Sequence, residues 1–407
     1  MRVLFCSSPL LGYFLPLVPW AWALRAAGHT VRVATTGEGL EACGHAGLHA
    51  FDAAPGVNVD EVFRSTIAAN RAAMPVGTPP PWAGAGKSSP FSNKPATPPG
   101  PGSASPWGQA GRTSPFAKVA DLMTDETIRI ARDFRPTLVI YPRLHVLGRL
   151  AAEVLGVPVV AHSPSLPMAP EMMGPLSWLI PPEACERHGR TIELASPAAL
   201  LHPTPPSMLN DDFPPGWPTR YVPYNGSNGA LPSWLLERPT RPRICVTLGS
   251  VIPGMGGVSA VKNVVDVLAE RDVEVVLALG GADLQSLGTL PANARATGWV
   301  PLSELLPSCS AIVHHGGAGT TWTALALGIP QLILPQGADQ PFNAAAAEKR
   351  GVAVVFSPVP ETRAPLEEAL DRVLKNGEMR AAARAVQEEM AKLPGPHEMI
   401  EKLAALT

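Results

Sequence analysis

The stretch Val313-His314-His315-Gly316-Gly317-Ala318-Gly319-Thr320-Thr321 joins an apolar, β-prone run to a helical stretch that stops near Gly328. Glycines let a backbone approach an anion closely, and a helix start offers unpaired N–H groups at the positive end of its dipole. With Thr320 and the two histidines adding donors, the turn suits a diphosphate. A glycine-rich strand-to-helix turn is also a common structural device, so its surroundings must decide. It is not a P-loop, because GxxxxGK[ST] is absent from the sequence. Gly254-Met255-Gly256 makes no dinucleotide fingerprint either, since Ser259 stands where the third glycine belongs.

Outward from that turn, β-prone runs at 243–249, 273–279, 331–334 and 352–356 alternate with helical spacing. The same rhythm opens the chain: Arg2 to Ser7, a helix with Leu17, Trp20, Ala21 and Leu24 on one face, then Thr30 to Thr35. Strand, helix, strand in so short a span is the βαβ unit of a parallel sheet. Further strands are expected at 137–141 and 157–162. The reading is two Rossmann-like α/β domains, residues 1–224 and 242–407, the second closing with helices at 378–393 and 396–406. The Pro/Gly-rich passage 225–241 links them. Residues 75–117 form a Pro/Gly/Ser-rich insertion in which Pro81 to Phe91 recurs as Pro106 to Phe116. Two readings of it stand: a surface insertion, or a flap whose Trp82, Phe91, Trp107 and Phe116 cover an apolar ligand.

The 407 residues carry 32 Lys plus Arg against 34 Asp plus Glu, a net charge of −2, so no basic field draws nucleic acid. The five cysteines show no metal-ligand spacing and read as reduced thiols. No uninterrupted apolar run is long enough to span a membrane, and Pro9, Pro16 and Pro19 interrupt the signal-like N-terminus, so the cytoplasm is expected.

His314 to Thr320, followed by Gly328-Ile329-Pro330-Gln331-Leu332, Pro335 and Asp339-Gln340 and preceded by Gly298-Trp299-Val300-Pro301, resembles the donor signature of GT-B nucleotide-sugar glycosyltransferases. The resemblance is to the bacterial natural-product branch in particular, of antibiotic, macrolide and enediyne type. The opening Met1 to Phe5 through Ala26-Ala27-Gly28-His29 resembles that family's first strand and helix. The resemblance implies a GT-B fold with two domains facing a cleft. Trp299 would stack on the pyrimidine and the Val300 backbone would bond it. His314, His315, Gly316, Gly317, Gly319 and Thr320, with Gly249 and Ser250, would hold the diphosphate; Asp339 and Gln340 would bind the sugar, though Asp339 also reads as a helix cap. No metal or other cofactor is implied.

Two positions depart from the pattern. Relatives carry a glutamate for the ribose hydroxyls where this chain has Trp322, which points to dTDP-sugars, whose deoxyribose lacks the 2′-hydroxyl. The catalytic His–Asp pair of inverting members is replaced by Tyr13 and Pro142. His145 and His162 lie on loops that should line the cleft, and His145 is the preferred base; Tyr13 and Phe14 would meet the acceptor. The reading is an inverting transfer from a dTDP-sugar to a hydrophobic aromatic or polyketide-like metabolite in antibiotic biosynthesis. The missing pair leaves open a catalytically idle relative that activates a partner glycosyltransferase. A nicotinamide oxidoreductase rests on the α/β rhythm alone and lacks the fingerprint. A monomer or homodimer is expected, with room for an auxiliary protein.

Overall fold

The computed structural model describes residues 1–72, 114–166, 176–209, 213–226, 229–249, 261–280, 282–336, 339–356 and 362–407. Most of the Pro-rich insertion, including Trp82, Phe91 and Trp107, lies outside them. The first sheet contains β1 (Arg2–Cys6), β2 (Thr30–Thr35), β3 (Ala50–Asp52), β4 (Leu138–Pro142), β5 (Val159–His162), β6 (Ala199–His202) and β7 (Trp217–Pro218), in the order β3-β2-β1-β4-β5-β6-β7. The second contains β8 (Arg243–Thr247), β9 (Glu274–Ala278), β10 (Ala294–Thr297), β11 (Ala311–His314), β12 (Gln331–Ile333) and β13 (Ala353–Val355), ordered β10-β9-β8-β11-β12-β13. Every pairing is parallel.

Parallel strands are covered on both faces, so they read as apolar runs rather than alternating ones. In β1, Leu4 and Cys6 enter one core while Val3 and Phe5 enter the other. The helix Pro115–Phe134 starts where Ser114 Oγ accepts the Ala117 N–H at 3.2 Å, with Pro115 at its first position. It ends at Arg135, whose φ of 52° is left-handed. Residues 114–117, read above as insertion, therefore belong to this helix and its cap. All five cysteines are buried and unpaired, and among the described residues no helix is long and apolar enough to cross a membrane.

Two features mark the junction between the domains. The linker is anchored to the second domain: the Trp234 ring lies under the guanidinium groups of Arg243 and Arg295, at 5.1 and 5.0 Å. The chain's last segment, Pro396–Met399 and the helix Ile400–Ala404, leaves the second domain and packs on the first. There Met399, Ile400 and Leu403 join Val3, Phe5 and Trp20 in one core. A separate apolar cluster seals the seam, bringing Leu166, Met208 and Tyr221 against Trp322, Leu325 and Met390.

Leu403 is fully buried in the first domain's core. Leu403→Ala is expected to lower the unfolding free energy by about 2–4 kcal/mol, read from urea denaturation; a loss below about 1 kcal/mol would show that the segment is not part of that core.

Candidate active site

Doubly wound sheets open a crevice at the carboxyl ends of their strands where the strand order reverses. In the second sheet that point lies between β8 and β11. Gly249 follows β8 with φ of 70°, and Gly316 follows β11 with φ of 88°, both in the region that favours glycine. The His315 ring fills the space between the two turns. A Cβ on Gly249 would lie 2.6 Å from His315 Cε1, and a Cβ on Gly317 would collide with His315 Nε2. His315 Nδ1 is buried without a hydrogen-bond partner among the described residues. Burial lowers the His315 pKa to about 4, so the ring is neutral at pH 7. The helix Ala318–Ala326 begins here, no side chain caps it, and its first-turn N–H groups face the crevice end of β11. Thr320 is buried in that turn.

His314 is engaged differently from the role the resemblance implies. Its Nδ1 accepts the Gly316 N–H at 3.0 Å and its Nε2 meets Gln331 Oε1 at 2.8 Å. Fully buried, it offers a ligand no ring nitrogen and instead shapes the turn. Asp339 is half-buried before the helix Gln340–Lys349 and makes no side-chain cap, so the helix-cap reading fails. Its Oδ2 accepts from Asn343 Nδ2 at 3.0 Å, and the same nitrogen reaches the Gly316 carbonyl at 3.0 Å. Burial raises the Asp339 pKa. Gln340 Oε1 accepts the Gln336 N–H at 2.7 Å. Ser250 lies outside the described residues.

Trp299 is half-buried, and its indole N–H donates to the Asn225 carbonyl at 2.9 Å, while the Val300 side chain is in the core. Asn225 also receives the Ser303 N–H at 2.8 Å and donates to Thr323 Oγ1 at 3.1 Å. Asn225, Asn343 and Gln331 were missed as site residues. Asn225-Gly226 reads as a turn, and nothing local marks a buried amide as a partner of a distant loop. Trp322 does not face a ligand at all: fully buried, it donates its indole N–H to the Pro164 carbonyl at 2.7 Å across the domain seam.

The first sheet's reversal lies between β1 and β4, and a pocket opens there. Ser8, Tyr13, Val59, Phe63, Phe116 and His145 line it. Phe116, one of the four aromatics of the flap reading, packs edge-on against Phe63 at 5.4 Å. His145 is buried, and its Nε2 has no partner among the described residues; burial lowers its pKa to about 3. Burial, reinforced by the nearby Asp339 carboxylate, holds the Tyr13 phenol well above its ordinary range. Tyr13 therefore keeps its proton, and its hydroxyl can donate or accept a hydrogen bond but cannot act as a base. Tyr13 thus lies within electrostatic reach of Asp339 in the second domain. His162 packs under Trp20, edge-on at 6.3 Å, and is not among the pocket residues. Phe14 is buried in the first core, which removes it from acceptor contact. The Pro142 position closes β4 and supplies no carboxylate.

Known proteins share this fold. The crystal structure of the glycosyltransferase SnogD from Streptomyces nogalater is similar with a TM-score of 0.77 at 35% identity, over 100% of this chain and 99% of that one. SsfS6 from Streptomyces sp. SF2575, complexed with thymidine diphosphate, gives 0.76 at 28% identity, over 100% and 99%. Two Rossmann-like domains of this topology, with these similarities, make this chain a GT-B glycosyltransferase. The models of the erythromycin biosynthesis protein CIII-like N-terminal and C-terminal domains match residues 22–76 with 108–249, and 262–406. The chain belongs to that family. The 10-deoxymethynolide desosaminyltransferase of Streptomyces venezuelae is 33% identical over 439 residues, covering 100% of this chain and 97% of that protein. Residues 77–107, inside the Pro-rich insertion, fall outside the family match.

Two outcomes follow from the packing. Gly317→Ala should weaken nucleoside diphosphate binding about tenfold or more, because the methyl meets His315, and the same substitution should cost about threefold or less when made in a His315→Ala background. Calorimetric titration of the two single variants and the double variant checks this, and an equal cost in both backgrounds would show that the collision is not the cause. The second concerns pH. His145, His162 and His314 are held at about 3, and His202 and His315 at about 4, all by burial. The unfolded chain binds more protons between those values and about 6.5, so stability is complete above about pH 6.5 and falls as pH drops towards 4, by about 1 kcal/mol per pH unit for each histidine. Urea midpoints at about pH 7.5 and about pH 5 measure the slope, and His162→Leu should flatten it.

Proposed function

We propose that the chain moves a sugar, deoxygenated or not, from a dTDP donor to a hydrophobic aromatic or polyketide-like acceptor in antibiotic biosynthesis, inverting the anomeric centre by single displacement. The observation that carries this reading is the pair of crevices, one lined by Tyr13 and His145 and the other built on the turn where His315 fills the space beside Gly249 and Gly317. An acceptor in the first and a sugar nucleotide in the second would be held facing one another, and holding both removes much of the entropic cost of encounter. Charge developing on the departing diphosphate is met by the first-turn N–H groups of the helix Ala318–Ala326 and by His315. Thymidine diphosphate in SsfS6 supports the donor class. So does Trp322, whose indole is turned into the seam and offers the donor no acceptor oxygen for a 2′-hydroxyl.

Tyr13 retains its proton, and His145 is a weak base because burial disfavours its cation. Such a pocket suits a nucleophile that gives up its proton readily, such as a phenol. His145 Nε2 then receives or orients that hydroxyl. The replacement of the catalytic pair by Tyr13 and Pro142 is what favours the rival reading of an idle relative.

Titration with dTDP and UDP separates these readings. We expect dTDP to bind about tenfold tighter than UDP, and Trp299→Ala to weaken both. Turnover of a dTDP-sugar by the purified chain alone removes the idle reading, whereas equal affinity for both nucleotides would sink the dTDP assignment.

A further inference from the structure

Building on the donor-site reading above, we propose that Gln331 is a positioning residue for the diphosphate: from within the sheet it fixes the tautomer of His314, which fixes the peptide that aims the donor-binding amides. The geometry forces the proton arrangement. His314 Nδ1 faces the Gly316 N–H at 3.0 Å, so it must present a lone pair, and the ring proton must sit on Nε2. Only an acceptor can face that proton, and Gln331 Oε1 does so at 2.8 Å. Gln331 is fully buried on β12, and its Nε2 has no partner among the described residues. Leaving that amide nitrogen unpaired is unfavourable, yet a flipped amide would turn a donor toward Nε2 and drive the proton to Nδ1, against the Gly316 N–H. The turn therefore dictates which way Gln331 points.

The far end of the same residue is fixed as well. The Gly316 carbonyl accepts Asn343 Nδ2, which also holds Asp339 Oδ2, each at 3.0 Å. Gly316 cannot be replaced, because a Cβ would lie 2.9 Å from Ile333 Cγ2 and 3.1 Å from the Gln340 carbonyl oxygen at a φ of 88°. A hydrogen-bonded chain thus runs from Gln331 through His314, Gly316 and Asn343 to Asp339, linking the diphosphate turn to the sugar carboxylate. The titratable neighbours of His314 are His315, whose ring lies 6.3 Å away at 88°, and Asp339 at the end of that chain. The helix Ala318–Ala326, β12 and β13 carry no ionisable side chain, and β8 adds Arg243 and Cys245.

Gln331→Glu and Gln331→Met test the assignment, with thymidine diphosphate as the probe and the wild type measured at each pH to cancel titration of the nucleotide. Glutamate still accepts from Nε2, but its charge favours the doubly protonated ring, which has no lone pair for Gly316. We expect this variant to bind within about threefold of wild type at about pH 8 and about tenfold weaker at about pH 6. Methionine should bind about tenfold weaker at both. The ¹⁵N shifts of His314 in the wild type should show the Nε2–H tautomer. A glutamate-to-wild-type affinity ratio independent of pH, or an Nδ1–H tautomer in the wild type, overturns the proposal. If either variant fails to fold, the wild-type tautomer decides. If the wild type does not bind the nucleotide, the donor reading fails, and the tautomer still judges Gln331.

Discussion

A wholly parallel sheet forces each connection to cross a face of the sheet, so neighbouring connections must diverge where the strand order reverses. That divergence opens a crevice at the ends of β1 and β4, and of β8 and β11. The groups that line the two crevices owe their place to these gaps. Ser8, Tyr13 and His145 stand at the first, and Gly249, His315 and the start of the helix Ala318–Ala326 at the second. The buried runs of β1 and β11 supply the rigidity, and short turns at their ends supply the chemistry.

Both gaps use histidine in an uncharged form. Burial keeps the ring of His315 neutral between Gly249 and Gly317, and keeps His145 neutral in an apolar pocket. A neutral imidazole can present one donor and one acceptor, which suits orienting a ligand better than capturing a proton. At His314 both capacities are already used inside the protein.

The two-domain α/β architecture was legible because parallel strands leave continuous apolar runs, and β8, β9, β11, β12 and β13 fall where those runs are. Edge strands were not. β10 carries Arg295 and Ala296 exposed, and β3 and β7 are only three and two residues long, so none makes a buried run. The glycine-rich turn was legible as a place, but the contacts of its residues were not, since the partners of His314 and Trp299 are Gln331 and Asn225. Trp322 illustrates the limit most clearly: its position in the sequence pattern suggested a ligand contact, while its indole binds Pro164 of the other domain. Pattern gives the face of a helix, and the neighbouring domain decides what that face meets.

The return of Met399, Ile400 and Leu403 to the first domain means that the polypeptide bridges the domains twice. The bridges are stitched to each other: the Arg220 N–H donates to the Pro394 carbonyl at 2.9 Å, and the Arg220 guanidinium lies 3.8 Å from Glu398. A body held by one strap can swing and twist, whereas two straps fastened side by side behave as a door hinge and resist torsion. A twist of one domain against the other would strain both straps at once, whereas opening and shutting about them would strain neither.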